Sequence, residues 1–334
     1  MILVTGATGF VGSHLLYFLL KEGKKVRALY RTEDKQKYVH RVFSYFTDGM
    51  SLFNQIEWFQ ADVTDIPALN KAFNGIIEVY HTAAYVTFNP KHFNKLKKST
   101  VEGTANVVTL CLENKVKKLC HISSIASLGK INGQITTEEN PWNPDAENNV
   151  YNISKYAAEM EVWRGTQEGL DAVIVNPGVI LGSGFWHSGT GRIFAKAAKG
   201  MSFYSTGTTG FVDVIDVAKA SVFLMENNKV NQRFILVSEN LSYKDLLSQI
   251  AVAFGKKPPS FELKNWILQI AWRLDFFKSR ITGTRQNLFK STAKSLVSQS
   301  QYSSEKIIKE TGYVFIPVSK TIERIVKDFL SNKI

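Results

Sequence analysis

The sequence predicts an α/β fold built on a doubly wound parallel sheet, with a smaller C-terminal lobe. Three observations carry this expectation. The chain opens on an apolar strand, ILVT, that runs straight into the glycines of GATGFVG. Short apolar runs then alternate with helical patterns through the first half. After Gly178 the rhythm breaks into segments rich in glycine, serine and aromatics before helices return.

Taken in order, ILVTG, KVRALYR, IEWFQAD, IEVYHTAA, KKLCHISS and DAVIVNPG each have the length and apolar content of a buried strand. FVGSHLLYFLLKEG, DIPALNKAFNG, NVVTLCLENK and the helix opening at NNVYNISK fall between them. This alternation implies right-handed crossovers and a parallel sheet. GVILGSGFWHSGTGR and STGTTGF read as loops. VIDVAKASVFLMEN, SYKDLLSQIAVAFG, LKNWILQIAWRLDFF and SKTIERIVKDFL read as helices, with a strand near RFILVS. Residues 1–177 are expected to form the first domain, with 212–238 returning to it, and 178–334 mainly the second lobe.

Composition sets outer bounds. The 334 residues are 44% hydrophobic and 21% charged, an ordinary globular balance rather than a disordered one. Two cysteines, Cys111 and Cys120, form no CxxC, and the six histidines form no HxxxH pair, so no metal site is expected. A reducing cytoplasm suits this usage. No signal peptide is expected from the opening residues, and no apolar run is long enough to span a bilayer. Net charge is +12, and residues 256–334 hold 15 Lys+Arg against 6 Asp+Glu, +9 of that total. The basic residues are dispersed and come with no RNA-binding aromatic motif, so no nucleic-acid partner is expected.

Gly6, Gly9 and Gly12 sit between the first strand and the first helix. The spacing is GxxGxxG, but the physics of a dinucleotide turn is the same: a tight bend, close backbone approach to a pyrophosphate, and the phosphate at a helix N-terminus. The second strand ends at Arg31, about 20 residues beyond Gly12, where an NAD enzyme carries an acid for the ribose hydroxyl. Arg31, with Lys35 and Lys37 nearby, suits a 2′-phosphate and so NADP(H), with NAD(H) the alternative if Glu33 or Asp34 takes that role. Asp62 and Val63, at the exit of the third strand, face the adenine in this reading. The alternative for an aspartate here is a helix cap, as for Asp65.

NNVYNISKYAAEME places Tyr151 four residues before Lys155, so the two side chains share a helix face. HISSIASLG ends the fifth strand, putting Ser123 and Ser124 at the same sheet edge. Phenol, ammonium and hydroxyl together make a proton-transfer device. Tyrosine's ordinary pKa of about 10 is too high for exchange at neutral pH, and a neighbouring ammonium, with the cationic nicotinamide when oxidised, would pull it down. Tyr151 could then pass a proton to or from a substrate oxygen held by Ser124.

VTGATGFVG, ADVTD, HTAA, SSIASLG, YNISK and VNPGVILG occur in the order characteristic of the extended short-chain dehydrogenase/reductases, and the chain resembles that family over about residues 1–330. VRALYR and KKSTVEGT resemble its dihydroflavonol reductase-like and 3β-hydroxysteroid dehydrogenase-like branch. The resemblance implies Ser124, Tyr151 and Lys155 as catalytic residues. It implies a cofactor site of Gly6, Thr8, Gly9, Phe10, Val11, Gly12, Arg31, Asp62, Val63, Ala83, Ala84, Ser123, Lys155, Pro177 and Val179. It further implies a Rossmann-type domain with a small substrate lobe, and a homodimer through a four-helix bundle. There are departures: Thr100 stands where many members have asparagine. Val179 and Thr209 replace the asparagine and arginine usual in nucleotide-sugar epimerases.

The expected activity is NADP(H)-dependent reduction of an aldehyde or ketone, or oxidation of the alcohol. Phe185, Trp186, His187, Phe203, Tyr204 and Phe211 suggest an apolar or aromatic substrate. The alternatives are a nucleotide-sugar epimerase or dehydratase on the same scaffold, and a non-catalytic dinucleotide sensor. Leu263, Trp266, Ile267, Ile270, Ala271, Leu274 and Phe277 form one apolar stripe flanked by Lys264, Arg273 and Lys278. Such a stripe either covers the second lobe or stays exposed, to guide a substrate or touch a membrane surface peripherally.

Overall fold

In the computed structural model, residues 1–331 are described apart from 132, 285 and 287; the last three residues of the expected second lobe, 332–334, lie outside the described residues. Seven parallel strands form the central sheet: β1 (Ile2–Thr5), β2 (Val26–Tyr30), β3 (Glu57–Gln60), β4 (Glu78–His81), β5 (Lys118–Ile122), β6 (Ala172–Pro177) and, after strands that lie outside it, β9 (Gln232–Leu236). Their order is β9-β6-β5-β4-β1-β2-β3. Strand order reverses between β1 and β4, which opens a crevice at the carboxyl ends of those two strands.

Helix α1 (Phe10–Lys21) packs on one sheet face beside a helix returning from later in the chain. On the other face α2 (Gly103–Glu113) lies against α3 (Val150–Gln167). Each face buries its own core, with Leu15, Leu16 and Val217 on one side and Val107, Val108 and Val162 on the other. The two helices of the second face meet closely. A Cβ on Gly165 would stand 2.5 Å from the Val108 side chain, so glycine sets the approach.

Two segments read as loops are strands. β7 (Val179–Leu181) and β8 (Thr208–Asp213) pair in parallel, and β10 (Glu239–Ser242) closes a three-stranded sheet on the other side of β8. The misleading glycines are there for contact rather than for turning. A Cβ on Gly178 would come 2.5 Å from the Gly210 carbonyl, and one on Gly210 would reach 2.6 Å from Val237. β3 is less buried than expected because it ends the central sheet, where one edge faces water.

α4 (Val214–Glu226) is the helix that packs beside α1. α5 (Tyr243–Ala253) and α7 (Val318–Ser331) pack with Trp186, Phe194 and Phe211 into the core of the second lobe. Between them, α6 (Asn265–Thr282) buries only Leu268 fully. Along its apolar stripe Leu263, Ile267 and Ala271 are half-buried while Trp266, Ile270, Leu274 and Phe277 are exposed, so the stripe is only partly covered.

Candidate active site

The glycine turn is shaped by exclusion. Gly6 takes φ +66°, which favours glycine, and a Cβ there would lie 2.6 Å from the Ala83 amide nitrogen. A Cβ on Gly12 would lie 2.4 Å from the Gly6 carbonyl. The turn is closed by the Gly9 amide donating to the Gly6 carbonyl at 2.8 Å. Gly9 then begins α1 without a side-chain cap, and no acid stands in the first turn. The amide groups of that turn and the positive end of the helix are thus left for an anion, with no carboxylate from the helix's own first turn.

A cavity of about 150 Å³ opens beside the turn, and it gathers most of the residues expected at the cofactor. Gly6, Thr8, Gly9, Arg31, Asp62, Val63, Ala83 and Ala84 line it, together with Lys35, Thr82 and Ser99. These residues suit a dinucleotide: small backbone-rich groups for the pyrophosphate, an apolar pair for the base, and cations at the end of β2. Gly12 is buried beneath the turn, and Val11 packs on the core of the first face. The Phe10 ring stands edge-on to His14 and Phe185. Pro177 ends β6, and Val179 packs into the second lobe.

Arg31 reaches Asp62 at 3.6 Å. Burial pushes the Asp62 carboxyl up, but the Thr64 amide and hydroxyl and then Arg31 outweigh it and leave it below the usual carboxylate range. Asp62 is therefore a turn-former as well as a wall of the cavity, accepting from the Thr64 amide at 2.9 Å. Asp65 is a true cap, accepting from the Ala68 amide. Lys37 is drawn to Asp34, 3.9 Å away.

Tyr151 and Lys155 enter from α3. Asn149 caps the helix, its side chain accepting from the amides of Tyr151 (2.9 Å) and Asn152 (3.0 Å). This fixes the first turn and the direction of the phenol, which Phe88 meets edge-on. Lys155 is buried, and its Nζ donates to the Ile122 carbonyl at the end of β5, 2.8 Å away. Burial pulls its ammonium down to about 8, and Glu159 resists that pull. The Tyr151 phenol moves opposite to expectation: burial raises it above its ordinary value, and the Ser124 hydroxyl only partly offsets this. The protein alone thus holds the phenol in its protonated form.

Glu159 went unrecognised in the sequence, although it continues the four-residue steps from Tyr151 and Lys155 along one helix face. Its carboxylate is wholly buried. Ser123 and Ser127 donate to Oε2 at 2.7 Å each, and the Asn176 amide donates at 2.9 Å. Arg233 completes the set at 3.1 Å from Oε1. The hydroxyl of Ser123, a residue expected at the cofactor, turns to Glu159. This network braces the 123–127 segment from behind, and Ser124 caps its short turn by accepting from the Ala126 amide at 3.1 Å.

His81 and His121, paired in register on β4 and β5, stack with ring centroids 5.2 Å apart. Thr104 donates its hydroxyl to the Thr100 carbonyl, so His81 Nε2–H donates to Thr104 and Nδ1 accepts from Thr5. Burial, then Lys155, pulls His81 down to about 3. His81 and His121 therefore stay neutral and add no charge to compete with the buried ammonium. Thr100, the departure from the family's asparagine, lies in a π-helical turn over 97–102 and accepts from the Tyr85 amide at 3.1 Å.

The aromatics expected around a substrate scatter. Phe211 and Trp186 are core, Phe185 packs against Phe10 and Tyr38 beside the glycine turn, and Phe203 pairs with Phe261 on the surface. A cavity of about 720 Å³ instead runs between residues 128–149 and 290–300, with Leu128, Ile131 and Trp142 on its walls. It touches α3 at Asn149 and Asn152.

The sequence profile of the NAD dependent epimerase/dehydratase family matches residues 2–237. The chain belongs to that family. Among curated relatives, a putative dihydroflavonol 4-reductase of Synechocystis is 28% identical, over 92% of this chain and 88% of the relative. Cinnamoyl-CoA reductase 1 of Petunia hybrida is 26% identical over 96% and 95%. Tetraketide alpha-pyrone reductase 2 of Arabidopsis thaliana is 31% identical over 79% and 84%. The chain is an NAD(P)-dependent extended short-chain dehydrogenase/reductase of the dihydroflavonol reductase-like branch. Among solved structures, gox2253 superposes with a TM-score of 0.82 at 29% identity, covering 99% of this chain and 98% of that one. A UDP-glucose 4-epimerase of Thermotoga maritima shares the fold at TM-score 0.76 and 18% identity, covering 100% and 99%.

Proposed function

We propose that this protein uses NADPH to reduce an aldehyde or ketone whose carbonyl is attached to an apolar or aromatic body. The observation that carries the proposal is the convergence of Ser124, a protonated Tyr151 and buried Lys155 at the carboxyl ends of β5 and α3's first turn, in a fold whose glycine turn suits a dinucleotide. When bound, the nicotinamide supplies the hydride. Tyr151 donates its proton to the substrate oxygen, Ser124 holds that oxygen, and Lys155 anchors the proton path and the ribose. Residues 1–177, with 212–238, form the cofactor domain, and the remainder carries specificity. The named activities of the curated relatives support an aromatic carbonyl. Cofactor-induced thermal shift, followed by a carbonyl panel read by NADPH absorbance and including UDP-glucose, tests the reading. Turnover of the sugar nucleotide with no carbonyl reduced would overturn it.

Preference for NADP(H) rests on Arg31 and Lys35 lining the cavity at the end of β2. Arg31→Glu should weaken NADPH about tenfold or more while leaving NADH within a few-fold, since it removes a phosphate partner and adds a repelling carboxylate. Isothermal titration of both cofactors reads this directly. An unchanged ratio of dissociation constants would remove Arg31 from the assignment.

Glu159 acts as a positioning residue. Glu159→Gln keeps the shape but loses the charge that holds Lys155 protonated, so turnover should fall about tenfold and its alkaline limb should move to lower pH. KM and cofactor affinity should stay within about twofold. An unshifted pH profile would leave Glu159 purely structural. The homodimer joins this picture through α2 and α3, where Ile153 and Met160 are exposed on one face of α3. Light scattering tests it. Buried free thiols at Cys111 and Cys120 suit the cytoplasm.

A further inference from the structure

Helix α6 has two apolar faces, and only one is covered. Leu268, Trp272 and Phe276 turn inward, and the helix packs on the short helix Lys290–Ser295. On the opposite face Trp266 is 62% exposed, Ile270 49%, Leu274 63%, Phe277 59% and Ile281 83%. At about 100° per residue these five fall within one narrow arc, roughly a quarter of the circumference. Exposed single apolar residues need no explanation, but a five-residue stripe along the whole length of a helix does. Among the described residues no helix is long and apolar enough to cross a membrane, so the stripe is not part of a span.

The charges say what covers it. On the same wheel Arg273 and Arg280 border one side of the stripe and Lys278 the other, all three exposed. Lys264 stands at the start of the helix, and Lys256 and Lys257 lie exposed just before it. These belong to the segment that carries +9 of the protein's +12. Exposed Phe203 and Phe261, joined by the two-stranded pairing that leads into α6, extend the apolar surface at its N-terminal end. Apolar side chains bordered on both sides by long cationic ones match an anionic bilayer surface: the rings and branched chains enter the acyl boundary, and the cations reach the lipid phosphates.

We propose that α6 docks this enzyme in the plane of an anionic phospholipid surface. The inner face of the helix stays on Lys290–Ser295, whose Lys290 and Lys294 wall the 720 Å³ cavity. Docking therefore leaves the contacts of the fold in place and brings the cavity wall close to the bilayer, from which an apolar carbonyl compound could be drawn.

The test uses the full chain and sedimentation with vesicles of phosphatidylcholine, alone or with about one-third phosphatidylglycerol. At low salt, partition onto the anionic vesicles should exceed that onto neutral ones by at least about tenfold, and raised salt should reduce it. Leu274→Glu combined with Phe277→Glu should bring binding down to the neutral-vesicle level, with melting temperature and NADPH-induced stabilisation unchanged. Arg273→Glu combined with Arg280→Glu should do the same through charge alone. Three results would overturn the proposal: no binding to anionic vesicles at low salt, binding that survives the Leu274 and Phe277 substitutions, or a concentration-dependent dimer that Leu274→Glu dissolves. The last would make the face a contact between copies of the chain.

Discussion

Replacing Tyr151 with phenylalanine should lower turnover by about a thousandfold while cofactor affinity stays within about twofold and the melting temperature barely moves. The substitution removes one hydroxyl and keeps the ring that packs edge-on against Phe88. General acid catalysis by a positioned group contributes roughly 10²–10⁴-fold, and the estimate sits within that range. The direction of the phenol's shift sharpens the prediction. Burial raises Tyr151 above its ordinary value, so at neutral pH the hydroxyl keeps its proton. That is the form a reductase needs, because the substrate oxygen must receive a proton as hydride arrives. In the oxidative direction the same hydroxyl must first lose its proton, so alcohol oxidation should rise with pH while carbonyl reduction holds steady through neutrality. Near-normal reduction by the phenylalanine variant, measured by NADPH consumption, would remove Tyr151 from the mechanism.

The cofactor turn and the Tyr-Lys pair were legible because each depends on local constraints that spacing expresses. Gly6 needs a left-handed backbone and Gly12 leaves no room for a Cβ, and both demands appear as glycines at fixed distances from a strand. Glu159 follows the same spacing from Lys155 but went unrecognised, because spacing alone does not say that a glutamate there is buried. Other features were not local. Gly178 and Gly210 look like loop formers, but each admits a neighbouring strand, and the partners lie far off in sequence. Phe211 and Trp186 look like pocket walls but are core of the second lobe, since composition cannot say which surface an aromatic finds. Periodicity in α6 reveals a stripe without saying whether it faces protein or water. The true inward face, with Leu268, Trp272 and Phe276, is also apolar and lies on the far side of the helix. In the protein alone the Tyr151 phenol is raised rather than depressed, for a related reason. The expectation from the sequence weighed neighbouring charge and left out burial, whose extent depends on the whole fold.

Lys155→Met should abolish turnover by about a thousandfold and at the same time make the protein more stable at neutral pH. Lys155 is buried, and its ammonium falls from an ordinary 10.5 to about 8. Below pH 8 the lysine is charged in both folded and unfolded chains, and the folded chain bears the full cost of holding that charge away from water. Between pH 8 and 10.5 the folded chain sheds the proton while the unfolded chain keeps it, so the cost is relieved as pH rises through that window. A shift of that size corresponds to about 3 kcal/mol, and losing the hydrogen bond to the Ile122 carbonyl returns about 1 kcal/mol. The methionine variant should therefore gain about 2 kcal/mol at pH 7, seen as a higher urea midpoint with unchanged slope, and most of that gain should vanish by pH 10. A lysine kept at such a cost, bonded to the strand end beside Ser123 and Ser124 and flanked by neutral His81, has a stability penalty that packing cannot explain and catalysis can. If Lys155→Met were instead destabilising at pH 7 with the same pH dependence as the parent, the lysine would be a structural tie between α3 and β5, and its role in proton transfer would lose its energetic support.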